Sequence, residues 1–220
     1  MTTVIDTSDP RARMVDSQLR PNRVTDTRVL GAMRSLARER FLPPGLAPLA
    51  YADTDVTLPG GRFLMEPMVL ARLIQAADPA PAERVLVVGA GTGYGAAVIA
   101  ACGASVLALE EDEGLLRLAR AALPPGVQLV SGPLGAGWVA GAPYDLVFIE
   151  GGFEQLPPAI AEQVRPHGGR LVGVRLGAGP VGQAVLGERF AADPTISLRP
   201  IFDCASRVLP GLRRAPGFVF

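Results

Sequence analysis

Apolar and polar positions along the chain change texture near residue 80. Before it, apolar residues recur at helical spacing: Asp26 is placed to cap an amphipathic stretch from Val29 to Arg38, and Ser8-Asp9-Pro10 offers a cap followed by Pro at a first helical position. The stretch Phe41 to Gly61, FLPPGLAPLAYADTDVTLPGG, carries too many breakers for a long regular element and predicts a surface loop or a short edge hairpin. Glu66-Pro67 then opens a helix through Ala77, with Met68, Leu70, Leu73 and Ile74 available for burial.

From Arg84 onward, short apolar runs alternate with helical patterns. RVLVVG leads into GYGAAVIAACG, ASVLALE into EDEGLLRLARAAL, and VQLVSG precedes YDLVFIEGG, PPAIAEQVR and GRLVGV. Strand and helix in strict alternation predict a parallel sheet with crossover helices, an α/β fold. The runs Val85 to Val88 and Leu146 to Ile149 are apolar without alternation, as in strands covered on both faces. QAVLGERF, ISLRPIF and the terminal GFVF are candidates for antiparallel strands that finish the sheet. The division expected is an N-terminal helical arm and loop, 1–65, before a sheet domain, 66–220, in one unit.

Composition narrows the chemistry. The 21 basic residues are all Arg, dispersed among 21 carboxylates, so no electrostatic footprint for nucleic acid appears. Without Lys, Schiff-base chemistry and a P-loop lysine are excluded. Cys102 and Cys204 are too far apart in sequence for a metal knuckle, and no metal is expected. The start lacks the apolar core of a signal peptide, and no apolar run reaches the roughly 18 residues of a membrane span. A reduced, cytoplasmic protein without membrane contact is the expectation.

Gly89-Ala90-Gly91-Thr92-Gly93 follows a strand and opens a helix. Glycines there let backbone approach a ligand, and the helix start presents unpaired N–H groups to an anion. Glu110 ends the next strand 21 residues beyond Gly89 and suits two ribose hydroxyls. A nicotinamide dinucleotide and S-adenosylmethionine both meet this description, and a ligand-free turn is a third reading. Spacing favours S-adenosylmethionine, because a dinucleotide fingerprint read from Gly89 needs Gly or Ala where Tyr94 stands.

Beyond the loop, MVDSQLRPNRVTDTRVLGAM, RERFLP, YADTDVTLPGG, VLVVGAGTGYGAAVIA, GW with APYDLVFIE, and PPAIAEQVRPHGGRLV occur in one order across most of the chain. In these segments the sequence resembles the protein-L-isoaspartate O-methyltransferases. The resemblance implies a Rossmann-like seven-stranded S-adenosylmethionine-dependent methyltransferase fold. It also implies a protein-repair reaction, methylation of the carboxylate of isoaspartyl residues in damaged proteins. Carried over position by position, it assigns Gly89, Gly91, Gly93, Glu110, Pro133 and Leu134 to the cofactor and Met65, Pro67, Glu150 and Gly151 to the acceptor. An acceptor carboxylate is ionised near neutral pH, so displacement at a sulfonium methyl asks for alignment rather than a general base. His167, in the PHGG turn, is accordingly read as a loop residue.

The chain departs from the family pattern at several of these places. Val87 stands where an acidic residue is usual, Gly132-Pro133-Leu134 replaces Gly-Asp-Gly, and Met65 takes the position of a serine that donates a hydrogen bond. Glu150-Gly151-Gly152 adds a carboxylate at the carboxyl end of the sheet, which reads as a solvated strand end or as a group that repels the substrate or serves as a general base. These changes keep two alternatives in view: the same cofactor with another acceptor, and a non-catalytic homologue that binds a protein partner. The arm is expected to wall or cover the site, with a loop that has few large apolar anchors.

Overall fold

Asp9 accepts the Arg11 backbone N–H at 2.9 Å and Pro10 fills the first helical position, which starts α1 (Pro10–Met14) and the π-helical turn Val15–Leu19 that continues it. The structure, a computed structural model, describes residues 9–177 and 181–214; the terminal GFVF lies outside the described residues. Asp26 caps α2 (Thr27–Ser35) through the Arg28 N–H. A hairpin of β1 (Val56–Thr57) and β2 (Phe63–Leu64) follows, then α3 (Pro67–Ala77), opened by Pro67 as the pattern predicts.

The alternating half forms β3 (Arg84–Val88), α4 (Tyr94–Ala101), β4 (Ser105–Glu110), α5 (Glu113–Ala122), β5 (Gln128–Ser131), β6 (Leu146–Phe153), α6 (Pro158–Gln163) and β7 (Gly169–Arg175). Two further strands, β8 (Gly182–Arg189) and β9 (Ser197–Cys204), complete a seven-stranded sheet of order β5-β4-β3-β6-β7-β8-β9. The first five are mutually parallel; β8 and β9 join antiparallel. After β3 the chain builds outward through β4 and β5, then returns to place β6 on the other flank of β3. The order reverses there, and the crevice at the carboxyl ends of β3 and β6 is where ligands lodge in open α/β sheets.

Both sheet faces are covered, which is why β3 reads as an uninterrupted apolar run. Val85 and Val87 point into a core shared with Met14, Leu19, Met33, Leu70 and Ala97. Leu86 and Val88 face the opposite core, with Leu109, Ile149, Leu209 and Leu212. Arm residues therefore lie in the same apolar cluster as the sheet.

Two local readings change. The amphipathic stretch does not reach Arg38: α2 stops at Ser35, and Arg38 opens a 3-10 turn with its side chain fully buried. Its Nε donates to the Ala50 carbonyl at 2.7 Å and its Nη2 to the Met65 carbonyl at 2.5 Å, and its guanidinium lies 4.6 Å from the Tyr94 ring centroid. Burial lowers the Arg38 pKa from its ordinary value. The breaker-rich segment also has more anchors than its composition suggests, since Phe41, Leu42, Ala50, Val56 and Leu58 are all buried. Turns in it fold these few apolar residues to one side.

Arg38 thus satisfies two carbonyls that no water reaches. Arg38→Ala should cost roughly 3 kcal/mol or more, from the stranded carbonyls and the void. Urea unfolding at unchanged slope checks this, and a loss below about 0.5 kcal/mol would mean the carbonyls find other partners.

Candidate cofactor and acceptor site

β3 ends at Val88 and the glycine turn leads directly into α4. Gly89, Gly91 and Gly93 have φ of +76°, +58° and +93°, a region that side chains rarely tolerate. The turn's own N–H groups are largely engaged: Gly89 and Ala90 both donate to the Leu109 carbonyl at 3.0 Å, and Gly93 donates to Ala90 at 2.8 Å. Gly91 N–H donates to Oε2 of Glu110 at 2.8 Å.

Glu110, fully buried at the end of β4, is the hub of this region. Its Oε1 accepts the N–H groups of Glu111 at 2.9 Å and Asp112 at 3.0 Å. Arg62, from the hairpin, closes on it as a fork: Nη1 to Oε1 at 2.5 Å and Nη2 to Oε2 at 2.8 Å, with Nη2 also 3.2 Å from the Gly89 carbonyl. Five hydrogen bonds take up the roughly four lone-pair positions of a carboxylate. The sequence offers Glu110 for ribose hydroxyls, and the structure shows its oxygens already occupied.

The crevice beside it is filled too. After β9 the chain runs along the end of β6, with Gly152 N–H on the Arg207 carbonyl and Leu209 N–H on the Gly152 carbonyl, each at 2.8 Å. Leu209 lies over both central strands: a Cβ placed on Gly89 would meet its side chain at 2.6 Å, and one on Gly151 at 2.7 Å. Leu134 is buried in the cluster that holds Leu209 and Leu212, while Pro133 beside it is exposed. A Cβ on Gly135 would meet the Gly211 carbonyl at 2.8 Å, so backbone seals that side. Arg207 ties this segment to the hairpin through Thr57 Oγ1 at 3.0 Å and the Phe63 ring at 5.7 Å.

Val87, at the position where the resemblance expects an acidic residue, is a core residue; on the acceptor side Met65 is also in the core and Pro67 is buried as the first residue of α3. Glu150 corrects the reading of a solvated strand end. It lies within β6, 7% exposed, and burial pushes its carboxyl up to about 8, with the Arg38 charge opposing the shift. Uncharged near neutral pH, it does not repel a carboxylate as expected from sequence. Gly95 makes the room, since a Cβ there would strike the Glu150 carboxyl. Thr92 Oγ1 and Glu150 Oε2 have no hydrogen-bond partner. His167 is exposed in the turn before β7, with Nδ1 2.9 Å from the Phe190 carbonyl, as a loop residue should be.

Sequence reasoning missed Arg62 and Leu209. Their nearest signals are GGRF, an arginine entering an apolar run, and VLPGL, an apolar pair around a turn. Among the described residues no group of three or more His, Cys, Asp or Glu is arranged to hold a metal, and no helix is long and apolar enough to cross a membrane.

The family model described as protein-L-isoaspartate(D-aspartate) O-methyltransferase matches residues 11–185. A protein-L-isoaspartate O-methyltransferase of Methylorubrum extorquens is 39% identical over 186 residues, covering 83% of this chain and 80% of its own. Another, of Koribacter versatilis, is 39% identical over 166 residues, covering 74% of each. A solved protein-L-isoaspartate O-methyltransferase, 23% identical, superposes with a TM-score of 0.78 over 92% of this chain and 67% of that one, a likeness of fold.

Glu150 gives a pH signature. Its folded pKa is raised, so the folded state holds the proton more tightly than the unfolded state between about pH 4.5 and 8. Stability contributed by the protonated form is complete below that window and falls as pH rises through it. Glu150→Gln should flatten this decline, by up to roughly 5 kcal/mol across the window. Parallel unfolding curves for both proteins from pH 5 to 8 would show instead that Glu150 is solvated.

Proposed function

Because the chain belongs to the protein-L-isoaspartate(D-aspartate) O-methyltransferase family, we propose that it methylates the carboxylate of isoaspartyl residues in damaged proteins, with S-adenosylmethionine as donor. The observation that carries this reading is the reach of the family match, which runs from the arm through the glycine turn and the central crevice into β8. Bound S-adenosylmethionine supplies an electrophilic methyl group on a sulfonium.

The donor set suits that group: a glycine turn at a helix start and a carboxylate ending the adjacent strand. The space does not, because Arg62 holds the carboxylate and Leu209 fills the crevice. The reaction therefore belongs to a form in which both are withdrawn. In that form the chain's own residues position and desolvate. Glu110 is freed to accept hydroxyl donors, while Glu150, uncharged near neutral pH, leaves an acceptor carboxylate unrepelled. Met65 offers no donor to that acceptor, so its recognition falls to backbone and neighbouring groups. The free thiols of Cys102 and Cys204, both buried, fit the reducing cytoplasm where such repair would take place.

Methyl incorporation into an isoaspartyl peptide, against the same peptide with ordinary aspartate, tests the reading. Transfer to the isoaspartyl form alone is expected, and Gly91→Val, which forces a β-branched side chain to a φ of +58°, should abolish it. Equal methylation of both peptides, or of neither, overturns the proposed acceptor.

A further inference from the structure

We propose that the central crevice is occupied by the chain itself, with Arg62 and the segment 205–212 as built-in competitors that S-adenosyl compounds must displace. This rests on the reading above, since it concerns the same crevice. Three separate contacts cover the three parts of a nucleoside site in this fold. Arg62 takes the carboxylate at the end of β4. Leu209 lies on Gly89, just after β3, and on Gly151 within β6. Gly211 and Leu212 pack against the loop after β5, where Leu134 is fully buried.

The occupants match what they cover. A guanidinium makes a two-bonded, charge-assisted fork with a carboxylate, whereas sugar hydroxyls offer neutral donors, so hydroxyls displace it only at a cost. Leucine places an apolar side chain over backbone whose glycines leave it room, with no polar group of its own left unpaired. The two occupants are also linked. Arg207 belongs to the covering segment and binds Thr57 and Phe63 of the hairpin that carries Arg62, so withdrawal of one loosens the other. The cavity of about 800 Å³ beside α1, lined by Arg13, Gln18, Glu39 and Tyr51, shares no lining residue with this crevice.

A closed majority form lowers apparent affinity by the fraction of molecules that are open. Titration calorimetry with S-adenosylhomocysteine on the full chain reads this directly. Leu209→Ala and Arg62→Gln should each bind on the order of tenfold more tightly than the parent. Thermal unfolding confirms that each variant is folded. Should Arg62→Gln fail to fold with Glu110 left unpaired, Leu209→Ala decides, because it leaves the ion pair intact. A parent that binds as tightly as the folded variants overturns self-occupation and leaves the cofactor reading standing. Folded variants that still bind nothing overturn both.

Discussion

A charge withdrawn from water must be met inside the protein, and the Arg62–Glu110 pair shows how much structure that requirement organises. Two residues 48 apart in sequence meet edge to edge with both partners almost fully buried. Removing either would leave the other as an uncompensated interior charge, costing about 3–5 kcal/mol. The pair therefore fixes the hairpin onto the carboxyl edge of the sheet. It also orients the glycine turn, because the same carboxylate receives the Gly91 N–H and the same guanidinium reaches the Gly89 carbonyl. Hairpin, turn and strand end behave as one closed unit.

What the sequence makes legible and what it hides divide along contact range. β3 and the start of β6 are readable because burial on both faces demands unbroken apolar runs, and α3 because Pro67 suits a first helical position. The parallel pairing and the glycine turn follow from alternation and local chemistry, whereas the strand order, with β6 on the other flank of β3, is set by contacts the alternation does not mark. Arg62 is opaque because its partner is remote and nothing around it marks it for burial. Glu150 misleads for a related reason: a carboxylate after Ile149 reads as the end of a strand, yet β6 continues because Gly95, on another element, leaves its side chain a pocket. The early stop of α2 is local but masked, since Arg38 extends the amphipathic pattern while its side chain is drawn inward by two distant carbonyls.

β4 and β6, the strands flanking β3, each bury a carboxylate near their carboxyl ends, and they do so by opposite means. Glu110 is met by a cation and three backbone N–H groups. Glu150 has an oxygen with no partner and keeps its proton through burial, with Gly95 giving up a side chain inside a helix, at about 0.5–1 kcal/mol, to make the space. The consequence is electrostatic. Near neutral pH the charge of Glu110 is matched by that of Arg62 and Glu150 adds none, and the two lie apart: Glu110 meets the hairpin and the glycine turn, while Glu150 faces Gly95 of α4, on the side of the sheet opposite the cluster that holds Leu209. Ionising Glu150 at higher pH would place a buried charge in the packing between β6 and α4. The protonated acid packed under α4 and the fork at the carboxyl edge are thus separate devices, and neither has meaning in the sequence until the sheet brings its distant partner to it.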